Sequence, residues 1–131
     1  MKFLLDTHIL LWSLLEPNKL TKEVQDNLNE ISNELWLSPI TTWEIIILVE
    51  KKKIKLTSPS PAVWINEVFS KVPFKEAALN HEVAIQSRKL NLPHQDPADR
   101  FIAASALVFD LTLITSDKRL LNLEKVKLLP N

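Results

Sequence analysis

KFLLDTHILLWSL, residues 2–14, sets the reading of the whole chain. Residues 2–5 form a short apolar run, too brief for a helix, that ends abruptly at Asp6-Thr7. Such a run reads as a buried strand. Ile9, Leu10, Trp12, Ser13 and Leu14 then follow a helical pattern, which Pro17-Asn18 stops. Asp6 therefore stands at a strand-to-helix junction. Residues 34–38 (ELWLS) repeat the pattern, with Pro39 closing the strand and Thr41-Thr42 opening an apolar helix that carries Glu44. It recurs in residues 111–115, a strand before Asp117 and a short helix over 117–121.

The intervening segments fit the same alternation. Thr21 caps a helix bearing Val24, Leu28 and Ile31. Pro61 suits the first turn of a helix with Val63, Trp64, Val68 and Phe69. A short strand is expected over 71–74, a helix over 77–90, a loop over 91–95 and a last strand over 126–129. Asp96-Pro97 opens the most apolar helix, through Phe109, whose lack of a polar stripe predicts burial. Alternating strands and helices in one domain over residues 1–131 predict an α/β fold with a mostly parallel sheet. Ligands of such sheets bind beyond the carboxyl ends of the strands.

Composition narrows the chemistry. The chain has 131 residues, 46% hydrophobic and 24% charged, with 16 basic and 16 acidic side chains. Zero net charge leaves nucleic-acid binding to local patches. With no cysteine, disulfides and thiolate metal sites are excluded. With no glycine, the P-loop and the dinucleotide fingerprint are excluded as well. Only three apolar residues separate Lys2 from Asp6, which is not a secretory leader, and no apolar run approaches a membrane span. A cytoplasmic location without membrane association is the expectation.

Four acids, Asp6, Glu44, Asp99 and Asp117, each stand near a helix start. Each has a plain structural reading. Asp6 or Thr7 can cap the next helix, Thr41-x-x-Glu44 fits a capping box, and Asp96-Pro97-Ala98-Asp99 fits a cap with an acid in the first turn. Ser116 and Asp117 can likewise cap the helix after them. Capping does not, however, require acids at strand ends sharing one sheet edge. Convergent carboxylates suit a hard divalent cation, Mg²⁺ or Mn²⁺. Asp96 reads as a cap. Arg100, Lys118 and Arg119 sit beside the proposed ligands, where they can neutralise substrate phosphates. His8 reads as a packing residue, and His81 and His94 as surface residues without zinc spacing. Trp12, Trp36, Trp43 and Trp64 read as core or interface.

These residues resemble the PIN-domain superfamily, and within it the VapC-type toxins of toxin–antitoxin pairs. LLDTHILLW (4–12), SPITTWEI (38–45), DPADRFIAASA (96–106) and LITSDKRL (113–120) resemble its four motifs in order, with acids at Asp6, Glu44, Asp99 and Asp117. Asp96 and Arg100 accompany the third motif. The lysine-rich stretch within 48–56 departs from the Gly-Lys-Leu ending common among relatives, so the loop there is expected to differ. The resemblance implies a three-layer α/β/α fold and a metal-dependent endoribonuclease, with Asp6, Asp99 and Asp117 holding Mg²⁺ or Mn²⁺ and Glu44 acting directly or through water. Thr7, Thr115 and Ser116 would orient ligands or waters. It also implies an RNA substrate, an antitoxin partner and a homodimer. A haloacid-dehalogenase-like phosphatase also begins with a strand ending in Asp, but residue 8 is His and the third motif has no place in that scheme. A PIN fold that binds RNA or a protein without cutting is the other class of reading.

Overall fold

A computed structural model describes residues 1–92 and 95–131. His94 and part of the expected 91–95 loop lie outside the described residues. The strands are β1 (Lys2–Leu5), β2 (Glu34–Leu37), β3 (Lys75–Glu76), β4 (Thr112–Thr115) and β5 (Lys127–Pro130). The helices are α1 (Thr7–Leu15), α2 (Lys22–Asn29), α3 (Pro39–Glu50), α4 (Pro61–Lys71), α5 (His81–Lys89) and α6 (Pro97–Val108). All strand pairs are parallel, in the order β3-β2-β1-β4-β5. From β1 the chain winds outward to β2 and β3, then returns through α5 and α6 to β4 on the other side of β1. The order therefore reverses between β1 and β4, where Leu5 pairs with Ile114. At such a reversal the loops part and leave a crevice beyond the carboxyl ends of the strands.

Strand alternation distributes the core between the two faces of the sheet. Phe3, Leu5 and Ile114 pack with Ile9, Leu10, Val24, Ile45, Trp64 and Val68, under α1 to α4. Leu4 and Leu113 face the opposite way, against Val83, Ile102, Ala103 and Ala106 of α5 and α6. This is the expected α/β/α layering, and the burial of α6 matches its apolar sequence: eight of its residues are buried, Ala98, Asp99, Arg100 and Ser105 among them.

Several boundaries differ from the sequence reading, each for a local reason. The third strand is not 71–74: α4 runs to Lys71, and Val72-Pro73-Phe74 intervene before Lys75–Glu76. Helix α5 starts only at His81, where Asn80 accepts from the Val83 N–H at 2.9 Å. Residues 117–121 form turns rather than a helix. Helix α3 starts at Pro39, with Ser38 as its cap accepting from the Ile40 N–H at 3.1 Å. Glu44 thus lies beyond the first turn, and the capping-box reading of it is wrong.

Two helices end in left-handed residues that are not glycine, Lys52 at φ 57° and Asp110 at φ 54°. After α3, Lys53 N–H bonds Leu48 O at 2.9 Å and Lys52 N–H bonds Val49 O at 3.0 Å. After α6, Leu111 N–H bonds Ala106 O at 2.8 Å and Asp110 N–H bonds Leu107 O at 3.3 Å. These are complete Schellman endings, which glycine usually makes because no Cβ opposes that φ. Asp tolerates the region and Lys less so. The lysine-rich departure after the second motif therefore still closes its helix by the usual bonds.

Candidate active site

Asp6 leaves the end of β1, and its backbone remains tied to the sheet through Asp6 N–H to Ile114 O at 3.0 Å. One carboxylate oxygen accepts from the Thr7 N–H at 2.8 Å and the other from Thr115 Oγ1 at 2.6 Å. Thr115 is fully buried at the end of β4 and also accepts from the Asp117 N–H at 3.0 Å. One threonine thus sets the Asp6 carboxylate and the backbone at Asp117. Burial pushes the Asp6 carboxyl above its ordinary range against the lowering effect of these bonds, and Asp117 adds to the rise.

Glu44 approaches from α3. Its Oε1 accepts from Thr7 Oγ1, which is also hydrogen-bonded to Thr41 Oγ1 at 3.2 Å. Burial raises the Glu44 carboxyl, and the negative charges of Asp6 and Asp96 raise it further. Thr41 is the residue the sequence reading missed. Its sequence position reads as a cap, and only the spatial approach of α1 and α3 joins it to Thr7. The signal available in sequence was weak: a threonine one turn before an acid on the same helix.

Asp99 sits in the first turn of α6 and is 6% exposed. Burial, then the charges of Asp96, Asp6 and Asp117, push its carboxyl up to about 7, with Arg119 opposing the rise. Negative charge from three parts of the chain therefore bears on this one group, and Arg119 ties it directly to Asp117. Asp96 caps α6, accepting from the Ala98 N–H at 3.0 Å, as its sequence position suggested.

The basic residues sort differently from their order in sequence. Arg100 does not face the cleft: it is buried, and its Nη1 donates to Ser87 O at 3.0 Å and Leu90 O at 3.2 Å. These bonds satisfy carbonyls at the end of α5, where a helix leaves acceptors without partners. The reading of Arg100 as a phosphate contact is therefore corrected to a brace between α5 and α6. Arg100→Met is expected to lower stability by about 2 kcal/mol, because hydrogen bonds from a charged donor are lost. Urea unfolding checks this, and an unchanged midpoint contradicts it. Lys118 is exposed and Ser116 half-buried. Arg119 reaches back to the acids: Nη2 lies 2.8 Å from Asp117 Oδ2 and 3.1 Å from Asp99 Oδ2. Its backbone N–H and Nε donate to Asp117 Oδ1 at 2.9 and 3.1 Å.

Among the tryptophans, Trp64 is core, which removes it as an interface candidate, and Trp43 beside Glu44 is 49% exposed. His8 is exposed and packs its ring at 5.7 Å, tilted by 56°, against Trp12, the packing role expected of it. His81 is exposed.

The donor set is all oxygen, without sulfur, which fits a hard divalent ion. Burial and mutual repulsion raise three of the carboxyls, and a cation would relieve both effects. Among the described residues, no three His, Asp or Glu side chains already stand in coordinating geometry.

The acids gather near the β1/β4 reversal of a parallel sheet, and the family follows from comparison. The chain belongs to the PIN-domain family, whose model, described as "PIN domain", matches residues 3–126. It is 31% identical over 120 residues to Ribonuclease VapC22 of Mycobacterium tuberculosis (strain ATCC 25618 / H37Rv), covering 89% of this chain and 88% of that protein. The fold is shared with VapBC2 from Rickettsia felis bound to a promoter DNA fragment, at TM-score 0.76 and 17% identity over 100% of this chain and 99% of that one. It is also shared with FitAcB from Neisseria gonorrhoeae, at TM-score 0.67 and 24% identity over 98% of this chain and 96% of that one.

Proposed function

We propose that this chain is a metal-dependent endoribonuclease and the toxin of a toxin–antitoxin pair. The observation that carries the reading is the convergence of Asp6, Glu44, Asp99 and Asp117 at the sheet reversal, in a chain so similar to a VapC ribonuclease. Asp6, Asp99 and Asp117 are assigned as ligands of Mg²⁺ or Mn²⁺, with Glu44 direct or through water. A divalent ion there supplies Lewis acidity, activating water and offsetting charge on the phosphodiester. Thr115 and the Thr7 N–H fix the direction of the Asp6 carboxylate, and Thr7 Oγ1 fixes Glu44. Such outer partners reduce the freedom of the ligands before the ion arrives. Asp96 adds negative charge beside Asp99 and Glu44 while capping α6. Lys118, exposed next to Asp117, is assigned as a contact for a backbone phosphate.

The substrate is read as RNA by analogy with Ribonuclease VapC22, and the partner as a cognate antitoxin by analogy with the toxin–antitoxin complexes that share the fold; the toxin is assigned as a homodimer. Exposed Trp43 and half-buried Trp12 are apolar surface available for such contacts. Residues 1–131 are read as one domain acting in the cytoplasm. Among the described residues, no helix is long and apolar enough to cross a membrane.

Incubation of the purified chain with RNA tests the reading. Cleavage is expected with Mn²⁺, to stop with EDTA, and to leave 5′-phosphate and 3′-hydroxyl ends that a ligase accepts directly. Cutting that survives EDTA and leaves cyclic phosphate ends would mean a metal-free mechanism through the 2′-hydroxyl, and the assignment would be wrong.

A further inference from the structure

Arg119 carries a consequence beyond charge balance. Its side chain is 53% exposed, so its stem is free to extend into water. Instead the guanidinium head lies on two carboxylates from different parts of the fold, Asp117 after β4 and Asp99 in α6. Ordering a long arginine side chain costs rotamer freedom, which only the charge-assisted bonds offset. Nη2 is within 3.1 Å of one oxygen of each acid. A cation shared by those oxygens must therefore displace it.

We propose that Arg119 is an internal counter-cation that changes partners: it joins Asp99 to Asp117 in the metal-free protein, yields them to the divalent ion, and then binds a phosphate of the RNA. The inference rests on the nuclease reading given above. Three features support the second half of the exchange. Arg119 is tethered only two residues from Asp117, so displacement leaves it at the rim of the same cleft. It lies in a turn with its side chain more than half exposed, which leaves room for the side chain to swing. A planar guanidinium also matches the paired oxygens of a phosphate as well as those of a carboxylate. Arg119 thus acts as a positioning residue, keeping repelling acids together before the ion binds and fixing the substrate backbone afterwards.

The test uses the full chain as wild type, Arg119→Ala, Arg119→Lys and Asp99→Asn, with two binding measurements that need no turnover. Mn²⁺ affinity is measured by calorimetry, and affinity for a nuclease-resistant phosphorothioate RNA by fluorescence anisotropy in Mn²⁺ over a range of salt. Arg119→Ala is expected to bind Mn²⁺ roughly three- to ten-fold more tightly, because the competing cation is gone. It is expected to bind the RNA more weakly, with the salt slope reduced by about one. Arg119→Lys, a point charge without the fork, is expected to fall between the two. Unchanged or weaker Mn²⁺ binding by Arg119→Ala overturns the proposal, and so does an unchanged RNA affinity and salt slope. Wild type that binds Mn²⁺ while Asp99→Asn does not keeps the metal site intact whatever Arg119 does. Wild type that binds no Mn²⁺ overturns the nuclease reading itself, and this proposal with it.

Discussion

Asp99→Asn is expected to reduce Mn²⁺-dependent RNA cleavage by about 10³-fold or more, while leaving the protein folded. A ligand carboxylate contributes charge that the transition state needs, and removal of one such electrostatic group commonly costs this much. The substitution keeps the size and much of the hydrogen-bonding capacity of the side chain, so α6 should still pack. Burial makes the fold favour the neutral form at this position, since the native carboxyl is held up to about 7. The metal-free variant should therefore be at least as stable as wild type at pH 8. Cleavage assays and thermal melts on the same preparations give both readouts. Equal cleavage by the two proteins would assign the activity to a contaminant or to another site.

Mn²⁺ is expected to raise the melting temperature by about 10 °C at pH 8 and by much less at pH 5.5. Saturation to a hundred times Kd contributes about 2.7 kcal/mol. A chain of this size gains roughly 3–5 °C per kcal/mol. The pH dependence follows from Asp99. Its folded-state value, about 7, lies above the ordinary carboxylate value of 3.8, so folding takes up a proton between the two. The stability this contributes is fully present below pH 3.8 and is lost as pH rises through about 7. Metal-free protein should thus lose stability over that interval, and Asp99→Asn should flatten the loss. Metal acts in the opposite sense, because it needs the carboxylates ionised and meets proton competition at low pH. Asp6→Asn should remove most of the increase. A melting temperature that ignores millimolar Mn²⁺ at pH 8 would count against the site.

Much of the fold was legible because its signals are local. The brief apolar runs at β1, β2 and β4, the first two leading into helices, identify strands without any knowledge of their neighbours. The long unstriped α6 sequence identifies a buried helix in the same way. Boundaries were less legible where two caps compete. Ser38 and Thr41 can both begin α3, and the choice depends on how Pro39 leaves β2. Residues 117–121 had the composition of a helix, but they form turns, within which the Asp117 side chain accepts from the Arg119 N–H.

Residue types are read directly from the chain: four acids near helix starts, oxygen chemistry, and no glycine loop or thiolate to compete with it. Tertiary structure alone decided which side chains meet. Arg100 and Arg119 are equally basic and both follow proposed ligands, yet one braces α5 and the other bridges Asp99 to Asp117. The difference lies in direction. Position 100 faces the α5 side of a packed helix, while position 119 lies on a turn open to the cleft. Likewise Thr7 meets Glu44, and Thr115 meets Asp6, across 37 and 109 residues of chain. Such contacts leave no periodicity to read, because they depend on where the sheet order reverses.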